Sequence, residues 1–372
     1  QHGADVLPTG KQVTLPDRPP WTPGTGQALC PRSTHRYLGL KWPASFCFKA
    51  TLEERLSIAC NAFATLPSLL ASRAIPLTVA LDLFDSKVDN LSAFGRWIFC
   101  MVPDAKLRIN GQVALWAKAL LGGAPFRNTA VAMNELGWHL SGFDRAVLAV
   151  AARRAKLWTL PAGNLYGDTF KWAASSGGDS SWATQSATCL SEAGVPDWPR
   201  RPPYLGSVAE YVSHVRELLV QASLPAWTEL VQTHRSIVPY SVYQATRSSH
   251  MHAVKRMALD WSDQLCLLSW CRFRAGYIVL AGRDGRKSAA KLQACLFCSR
   301  VIRNWVVHCL SDCTAWSACR SAFKLCRGLG EVLSKDELAR LILQCRPGSD
   351  GFVLVVRWFD LIDRRSRDTL LT

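Results

Sequence analysis

The chain has too few acidic residues to balance its basic ones, and it has no apolar run long enough to cross a membrane. Among 372 residues, 28 are Asp or Glu and 44 are Lys or Arg, which leaves a formal net charge of +16. No apolar segment approaches the roughly 18 to 20 residues that a membrane-spanning helix needs, so we expect no membrane partner. A hydrophobic share of 49% excludes overall disorder, and the length suffices for two or three domains.

Several catalytic and targeting signals are also missing. There is no P-loop, no dinucleotide-binding fingerprint and no Ser-His-Asp signature. The N-terminus, Gln1-His2-Gly3, has neither a starting Met nor the basic-then-apolar layout of an export signal. The sequence therefore reads as a fragment or a processed product with no signal for secretion.

Cysteine is present in quantity but is unevenly placed. Six of the fourteen cysteines lie between Cys295 and Cys326, and the other eight are scattered. A disulfide framework would distribute its pairs along a small secreted chain, so one dense cluster in a long chain indicates metal binding beside reduced core thiols.

The spacing inside this cluster predicts a zinc site. Cys295 and Cys298 form a C-x2-C pair, His308 follows after nine residues, and Cys313 follows after four more. Three thiolates and an imidazole are ligands that Zn²⁺ prefers, and four protein ligands with no general base nearby indicate a structural ion. Cys309 and Cys319 lie close by and are alternative ligands. The competing interpretation is a set of buried thiols beside an apolar helix.

The basic excess is concentrated around the same cluster. Between Arg272 and Gly330 the sequence has eleven basic residues and two acidic ones. Such a distribution favours a polyanionic partner, because each neutralised phosphate releases counterions. The alternative is a solvated, exposed turn with no partner. The candidate nucleic-acid contacts are Arg272, Arg274, Arg283, Arg286, Lys287, Lys291, Arg300 and Arg303.

Apolar residues recur at helical spacing over most of the chain, and strand signals are few, so the predicted class is mainly α. We expect a helical, thumb-like bundle, a second helical region and a small Cys/His zinc module. The predicted segments are 1–36, rich in Pro and Gly and extended; 37–160, a strand and thumb-like helices; 161–206, a turn-rich linker; 207–290, a helical connector; 291–328, a basic zinc module; and 329–372, C-terminal helices.

The order of short motifs resembles the C-terminal half of a non-LTR (LINE-type) retrotransposon reverse transcriptase. Residues 36–39, Arg-Tyr-Leu-Gly, resemble the short primer-grip strand of that family. Residues 110–118 and 135–138 resemble its thumb and the continuation of the thumb, and Trp270-x-Arg272-x-Arg274 resembles the Arg-rich segment before its zinc motif. The Cys-Cys-His-Cys pattern at 295–313 of this chain resembles the zinc motif of the family. The nine residues between Cys298 and His308 form a longer gap than we expect for the family. Trp316 and Arg320 follow the motif as they often do in the family.

The resemblance implies RNA or DNA as partner, an upstream polymerase palm domain as a further partner, and a nuclear location. Reverse transcriptases hold two metal ions with paired aspartates, and this chain has no Asp-Asp dipeptide. We therefore expect a nucleic-acid-binding portion that is inactive as a polymerase on its own. One alternative is a helical scaffold for protein interactions with a structural zinc and no nucleic-acid role. Another is part of an active polymerase whose catalytic half is encoded upstream.

Overall fold

The computed structural model describes residues 5–6, 12–13, 34–37, 40–43, 48–122, 128–176, 181–233, 250–276, 278, 293–302, 304–330 and 333–371. Within these ranges the fold is mainly helical, as predicted. Strands occur there only as three antiparallel pairs: β1 (Asp5–Val6) with β2 (Gln12–Val13), β3 (Thr34–Tyr37) with β4 (Leu40–Pro43), and β5 (Gln293–Ala294) with β6 (Val301–Ile302). Most of the predicted Pro/Gly-rich segment lies outside the described residues.

Helices make up most of the residues that the structure describes. In order they are α1 (Lys49–Phe63), α2 (Leu66–Ala71), α3 (Leu77–Leu83), α4 (Asn90–Ala93), α5 (Ala105–Leu120), α6 (Thr129–Glu135), α7 (Gly142–Trp158), α8 (Leu165–Ser176), α9 (Trp182–Glu192), α10 (Val208–Ala222), α11 (Leu224–Thr233), α12 (His250–Lys255), α13 (Trp261–Arg274), α14 (Trp305–Ser311), α15 (Ser317–Cys326), α16 (Lys335–Leu343) and α17 (Phe352–Leu371). A π-helical turn covers Phe84–Asp89, and 3-10 turns cover Arg96–Met101, Trp198–Arg200 and Thr314–Trp316.

Local capping signals set several of these boundaries. The Ser-x-x-Glu spacing at 334–337 predicts a capping box, and Ser334 caps α16 in such a box with Glu337. The side chain of Ser207 accepts from the amide of Glu210 at 3.1 Å and caps α10 in the same way. The Thr51-x-x-Glu54 spacing also predicts a capping box, but this prediction is wrong, because α1 begins at Lys49 and Thr51 lies inside the helix. Each cap satisfies amides that a helix start otherwise leaves unpaired.

The first compact unit comprises residues 1–62, 87–112 and 140–222. Helix α7 lies at its centre and packs against α8, α9, α10 and the turn Arg96–Met101. Its buried side chains recur at helical spacing and join apolar residues of α9 and α10 in one core. The core residues are Leu140, Val147, Leu148, Val150, Ala151, Ala155, Cys189, Leu190, Val195, Trp198, Tyr211, Val215 and Leu219.

Residues 161–206 are not the turn-rich linker that their Ser, Gly and Pro content predicted. They contain α8 and α9, and Cys189, Leu190 and Trp198 belong to the core of the first unit. The guanidinium of Arg154 on α7 is buried here and donates to Asp197 Oδ1 at 3.0 Å and to Ser186 Oγ at 2.6 Å. The burial of apolar side chains and the pairing of the buried Arg154 therefore decide the structure of this stretch more than its content of turn-forming residues does.

The second compact unit comprises residues 63–86, 113–139 and 223–372. Its main contact is between α13 and α17, where Phe273 and Phe359 stack with ring centroids 4.1 Å apart. Trp270 of α13 packs edge-on against Phe352 of α17 at 5.4 Å. The residues of the predicted zinc module belong to this unit and pack within it, because α14 contacts α16 and α15 contacts α17.

Two buried carboxylates join α13 to α17. Asp360 and Asp363 are each 3% exposed, and the hydroxyl of Ser269 donates to both, at 2.9 and 3.0 Å. Arg73 pairs with Asp360 at 2.7 Å, and Arg272 pairs with Asp363 at 3.1 Å. Burial raises the pKa of Asp360, but hydrogen bonds from Arg73 and Ser269 and nearby positive charge outweigh it and hold that pKa below its usual value.

A second buried pair lies at the C-terminal end of α13. Arg274 Nε donates to Glu135 Oε2 at 2.9 Å, and both side chains are 1% exposed. Arg274 Nη1 also donates to the carbonyl of Leu343 at 2.7 Å. The guanidinium lies 4.8 Å from the ring of Trp270. Arg274 therefore links α6, α13 and α16 from inside the second unit.

Replacing Arg274 with Met is expected to lower the free energy of unfolding by about 3–5 kcal/mol, because it removes the guanidinium that pairs with the buried Glu135 carboxylate. Changing Glu135 to Leu as well should restore much of this loss, because no unpaired charge then remains. Denaturant unfolding followed by circular dichroism measures both effects. Lys255→Ala, which breaks the more exposed pair with Asp82, is the control and should cost about 0–1 kcal/mol. Equal losses in R274M and K255A would contradict the expectation.

Candidate metal centre

The first two candidate ligands lie in a tight turn between β5 and β6. The amide of Cys295 donates to the carbonyl of Arg300 at 2.9 Å, and the amide of Ser299 donates to the carbonyl of Cys295 at 2.9 Å. Ser299 has a φ of 56°, in the left-handed region that L-residues seldom adopt. The chain therefore reverses direction directly after Cys298, which keeps the two thiols of the C-x2-C pair together.

The other two candidate ligands lie at the end of α14. The side chain of Asn304 caps the helix by accepting from the amide of Val307 at 3.1 Å. The carbonyl of His308 accepts from the amides of Asp312 and Cys313, at 3.1 and 2.8 Å. These bonds end the helix and fold the following residue back, so that Cys313 lies beside His308.

The four side chains meet at one point. The ligand atoms of Cys295, Cys298, His308 and Cys313 all lie within 4.8 Å of one another. The sulfurs of Cys295 and Cys313 are 3.9 Å apart, and Cys298 Sγ lies 3.2 Å from His308 Nε2. The sulfur separation is far too long for a disulfide, in which the distance is about 2.05 Å. A tetrahedral ion with metal–sulfur bonds of about 2.3 Å sets its sulfurs roughly 3.8 Å apart. The geometry therefore fits one four-coordinate metal ion.

The charge state of the thiols fits the same conclusion. Burial, with the neighbouring Cys295 and Cys298, raises the pKa of Cys313 to about 12. Burial also opposes ionisation of Cys298, but hydrogen bonds from the amide of Arg300 and from the neighbouring cysteines lower its pKa below the usual value. Thiols this close together repel as thiolates, and a bound cation is what allows them to ionise jointly.

The alternative ligands Cys309 and Cys319 lie outside this group of four. Cys309 is 2% exposed in the apolar interior, and burial raises the pKa of its thiol well above the usual value. Cys319 is half-buried on α15, and burial raises its pKa although the charges of Arg320 and Arg365 oppose the shift. Both cysteines therefore serve the packing around the site.

The nine-residue gap between Cys298 and His308 has a structural role. It holds the second strand of the hairpin, Val301–Ile302, and the first turn of α14, which begins at Trp305. A hairpin followed by a helix start needs about this number of residues, so the length of the gap does not keep His308 out of the site.

The structure also places some of the predicted nucleic-acid contacts. Arg300 is exposed beside Cys298. The predicted phosphate contacts of Arg272 and Arg274 are wrong. Asp363 and Glu135 hold their guanidinium groups inside the second unit, so neither group is available to bind a phosphate. Burial lowers the pKa of Arg272, and the charge of Asp363 opposes that shift. Five predicted contacts lie outside the described residues: Arg283, Arg286, Lys287, Lys291 and Arg303.

Trp316 follows the last ligand and anchors the site to its surroundings. It is 2% exposed, so it is not available for the base stacking that an isolated tryptophan near a basic cluster suggests. Its ring packs edge-on against Phe297 at 5.1 Å, and the guanidinium of Arg365 lies 5.0 Å from its centre. Trp305 packs edge-on against Phe273 of α13, with ring centroids 6.2 Å apart. The two indoles tie the Cys/His cluster to α13 and α17.

The sequence analysis does not predict the contact between Asp312 and His308. Asp312 Oδ1 lies 2.7 Å from Nδ1 of His308, and Asp312 Oδ2 lies 2.6 Å from Nζ of Lys335. The signal that could have found it is the spacing, because an acid four residues after a helical His lies one turn away from it.

Comparison of the chain with protein-family models, with curated proteins and with solved structures gave no match. Among the described residues, none of the helices combines the length and the apolar character needed to cross a membrane. Evidence about function therefore comes from the residues of the chain itself.

Replacing Cys313 with Ser is expected to weaken metal binding on the order of 100-fold or more, because even the loss of a hydrogen-bond partner of a metal ligand costs about 10–100-fold and this change removes a ligand itself. Elemental analysis after dialysis and competition with a chromophoric chelator give the metal content and the affinity. Cys319→Ser is the matched control and should keep one metal ion per chain. Equal loss in C319S, or no metal in the unaltered chain, would contradict the assignment of the ligands.

Proposed function

We propose that Cys295, Cys298, His308 and Cys313 hold one structural zinc ion. Support comes from the ligand set, because three thiolates and an imidazole suit Zn²⁺ better than the hard cations that prefer oxygen. Four protein ligands fill a tetrahedral ion and leave no position for substrate or water, so the role is structural. The ion would contribute folding energy to the hairpin and to α14, which are too short to be stable alone.

We further propose that the protein binds nucleic acid through the basic surface that this site supports. The observation that carries the proposal is the charge of residues 293–330, whose only acidic member is Asp312. That carboxylate is engaged by His308 and Lys335. The basic residues left in the described part of this stretch are Arg300, Arg320, Lys324 and Arg327. A surface of one sign attracts phosphates and releases their counterions.

The proposed origin is the C-terminal part of a retrotransposon-type RNA-directed DNA polymerase. The order of motifs supports it, and Tyr37 of the Tyr-Leu-Gly motif is the last residue of β3. The thumb-like helices would follow a template–primer duplex by its phosphates. The absence of an Asp-Asp dipeptide means that this chain would bind nucleic acid without copying it. A polymerase palm domain as partner and a nuclear location belong to the same proposal and rest on the resemblance.

A second candidate function is a helical surface for protein partners. One observation favours it: α8 exposes Leu165 and Tyr166, each 75% exposed, and Trp172, 69% exposed. Large exposed apolar side chains grouped on one short helix are typical of interaction sites. Co-purification with a protein partner in the absence of nucleic acid, lost on Trp172→Ala, would favour this alternative.

The nucleic-acid proposal predicts binding that weakens steeply with salt and depends little on sequence. The logarithm of the association constant should fall linearly with the logarithm of salt concentration, with a slope of about −0.9 for each phosphate contacted on duplex DNA. Fluorescence anisotropy with a 20-nucleotide single strand and a 20-base-pair duplex, from 50 to 300 mM salt, measures the slope. A flat slope or affinity no better than millimolar would exclude the proposal.

A charge-matched pair of variants locates the surface. Lys324→Gln with Arg327→Gln removes two charges at the C-terminal end of α15 and should reduce the steepness of the salt slope by up to about two. Arg216→Gln with Arg256→Gln removes two exposed charges elsewhere and should change it less. Equal changes in the two double variants would show that net charge, rather than this surface, governs binding.

A further inference from the structure

His308 presents its two ring nitrogens to different neighbours. Nε2 lies 3.2 Å from Cys298 Sγ, inside the group of four ligand atoms. Nδ1 points the opposite way and lies 2.7 Å from Oδ1 of Asp312. A neutral imidazole carries hydrogen on one nitrogen and a lone pair on the other. A hydrogen on Nδ1, which faces Asp312, therefore means that Nε2 has a lone pair for the metal.

Asp312 Oδ1 requires a hydrogen on Nδ1. This oxygen is sealed from solvent and makes no hydrogen bond of standard geometry among the described residues, and Nδ1 of His308 lies 2.7 Å from it. A buried carboxylate oxygen without a donor costs the full desolvation penalty of the group. A small rotation of the ring or of the carboxylate would let a hydrogen on Nδ1 satisfy the oxygen, and this tautomer leaves the lone pair on Nε2, where the three sulfurs converge.

Asp312 is itself held from two directions. Its amide donates to the carbonyl of His308 at 3.1 Å, which fixes its backbone one helical turn below the imidazole. Its second oxygen, Oδ2, accepts from Nζ of Lys335 at 2.6 Å. Lys335 is the first residue of α16, a helix that packs against α14. The contacts thus run from the ligand group through His308 and Asp312 to the start of α16, all within the second unit.

We propose that Asp312 is the positioning residue of the metal site: it fixes His308 for coordination through Nε2 and links the bound ion to α16 through Lys335. The inference rests on the proposed metal site and adds to it an outer-sphere carboxylate and a defined coordinating nitrogen. A carboxylate that accepts from the outer nitrogen of a metal-bound imidazole orients the ring and raises the basicity of the ligand. Lys335 has a 66% exposed side chain, so its share is smaller.

The experiment compares Asp312→Ala, Asp312→Asn and Lys335→Gln in the full chain, with Zn²⁺ and Co²⁺ as probes. D312A should lower Zn²⁺ affinity by about 10–100-fold in chelator competition, the usual effect of removing such a partner. D312N keeps an oxygen acceptor and should recover part of that loss. K335Q should stay close to the unaltered chain. Asp336→Ala removes a neighbouring exposed acid of α16 and is the control, with no change expected.

A spectroscopic readout separates positioning from general destabilisation. Nitrogen-15 correlation spectra of the zinc-loaded chain should show the His308 ring bound through Nε2 and protonated at Nδ1. In D312A the ring should show exchange or a changed coordinating nitrogen, and the cobalt absorption bands should shift. D312N, which has the same shape as the native residue, carries the comparison if D312A fails to fold.

Three outcomes are distinguishable. Unchanged affinity and spectra in D312A would overturn the role of Asp312 while leaving the metal site in place. Coordination through Nδ1 in the unaltered chain would overturn the inference directly. If the unaltered chain binds neither Zn²⁺ nor Co²⁺ at one ion per chain, the proposed metal site fails, and the inference fails with it.

Discussion

The arrangement of the second unit depends on keeping buried charge paired. Asp360 and Asp363 lie between α13 and α17, where an unpaired carboxylate would cost several kcal/mol. Ser269 from α13 and Arg73 from the start of this unit meet them there. The ion pairs need not add much net stability, but they restrict how α13 and α17 can pack against each other. A shift of α17 along α13 would separate the Ser269 hydroxyl from both acids at once.

The same pairing limits how the basic composition of this chain should be interpreted. A formal charge of +16 invites the view that every arginine is available to an anion. Arg272 and Arg274 are instead engaged within the second unit, and Arg154 has the same role in the core of the first. In the arginine-rich segment before the cysteine cluster, Arg272 and Arg274 therefore stabilise the packing of the second unit. The case for nucleic acid rests on the basic residues that follow it.

The sequence alone was sufficient to predict features that depend on residues close together in the chain. The grouping of the four candidate metal ligands follows from their spacing, because a tight turn and a helix end bring residues that are close in sequence together in space. Ser207 and Ser334 predict helix starts for the same reason. Features decided by tertiary burial were missed. Helices α8 and α9 lie in a stretch rich in turn-forming residues, and Thr51, which has the spacing of a helix cap, lies inside α1. The burial of Arg274 depends on Glu135, 139 residues away.

The metal site is coupled to the fold because its surroundings belong to other helices. Trp305 contacts Phe273, which in turn stacks on Phe359. Trp316 lies beneath Arg365 of α17, and Lys335 of α16 holds Asp312. A zinc module that folded separately would need none of these contacts. A metal ion at this site would therefore order the hairpin and α14, and through them the ends of α16 and α17. The cysteine cluster is thus part of the packing of the second unit and is not a module separate from it.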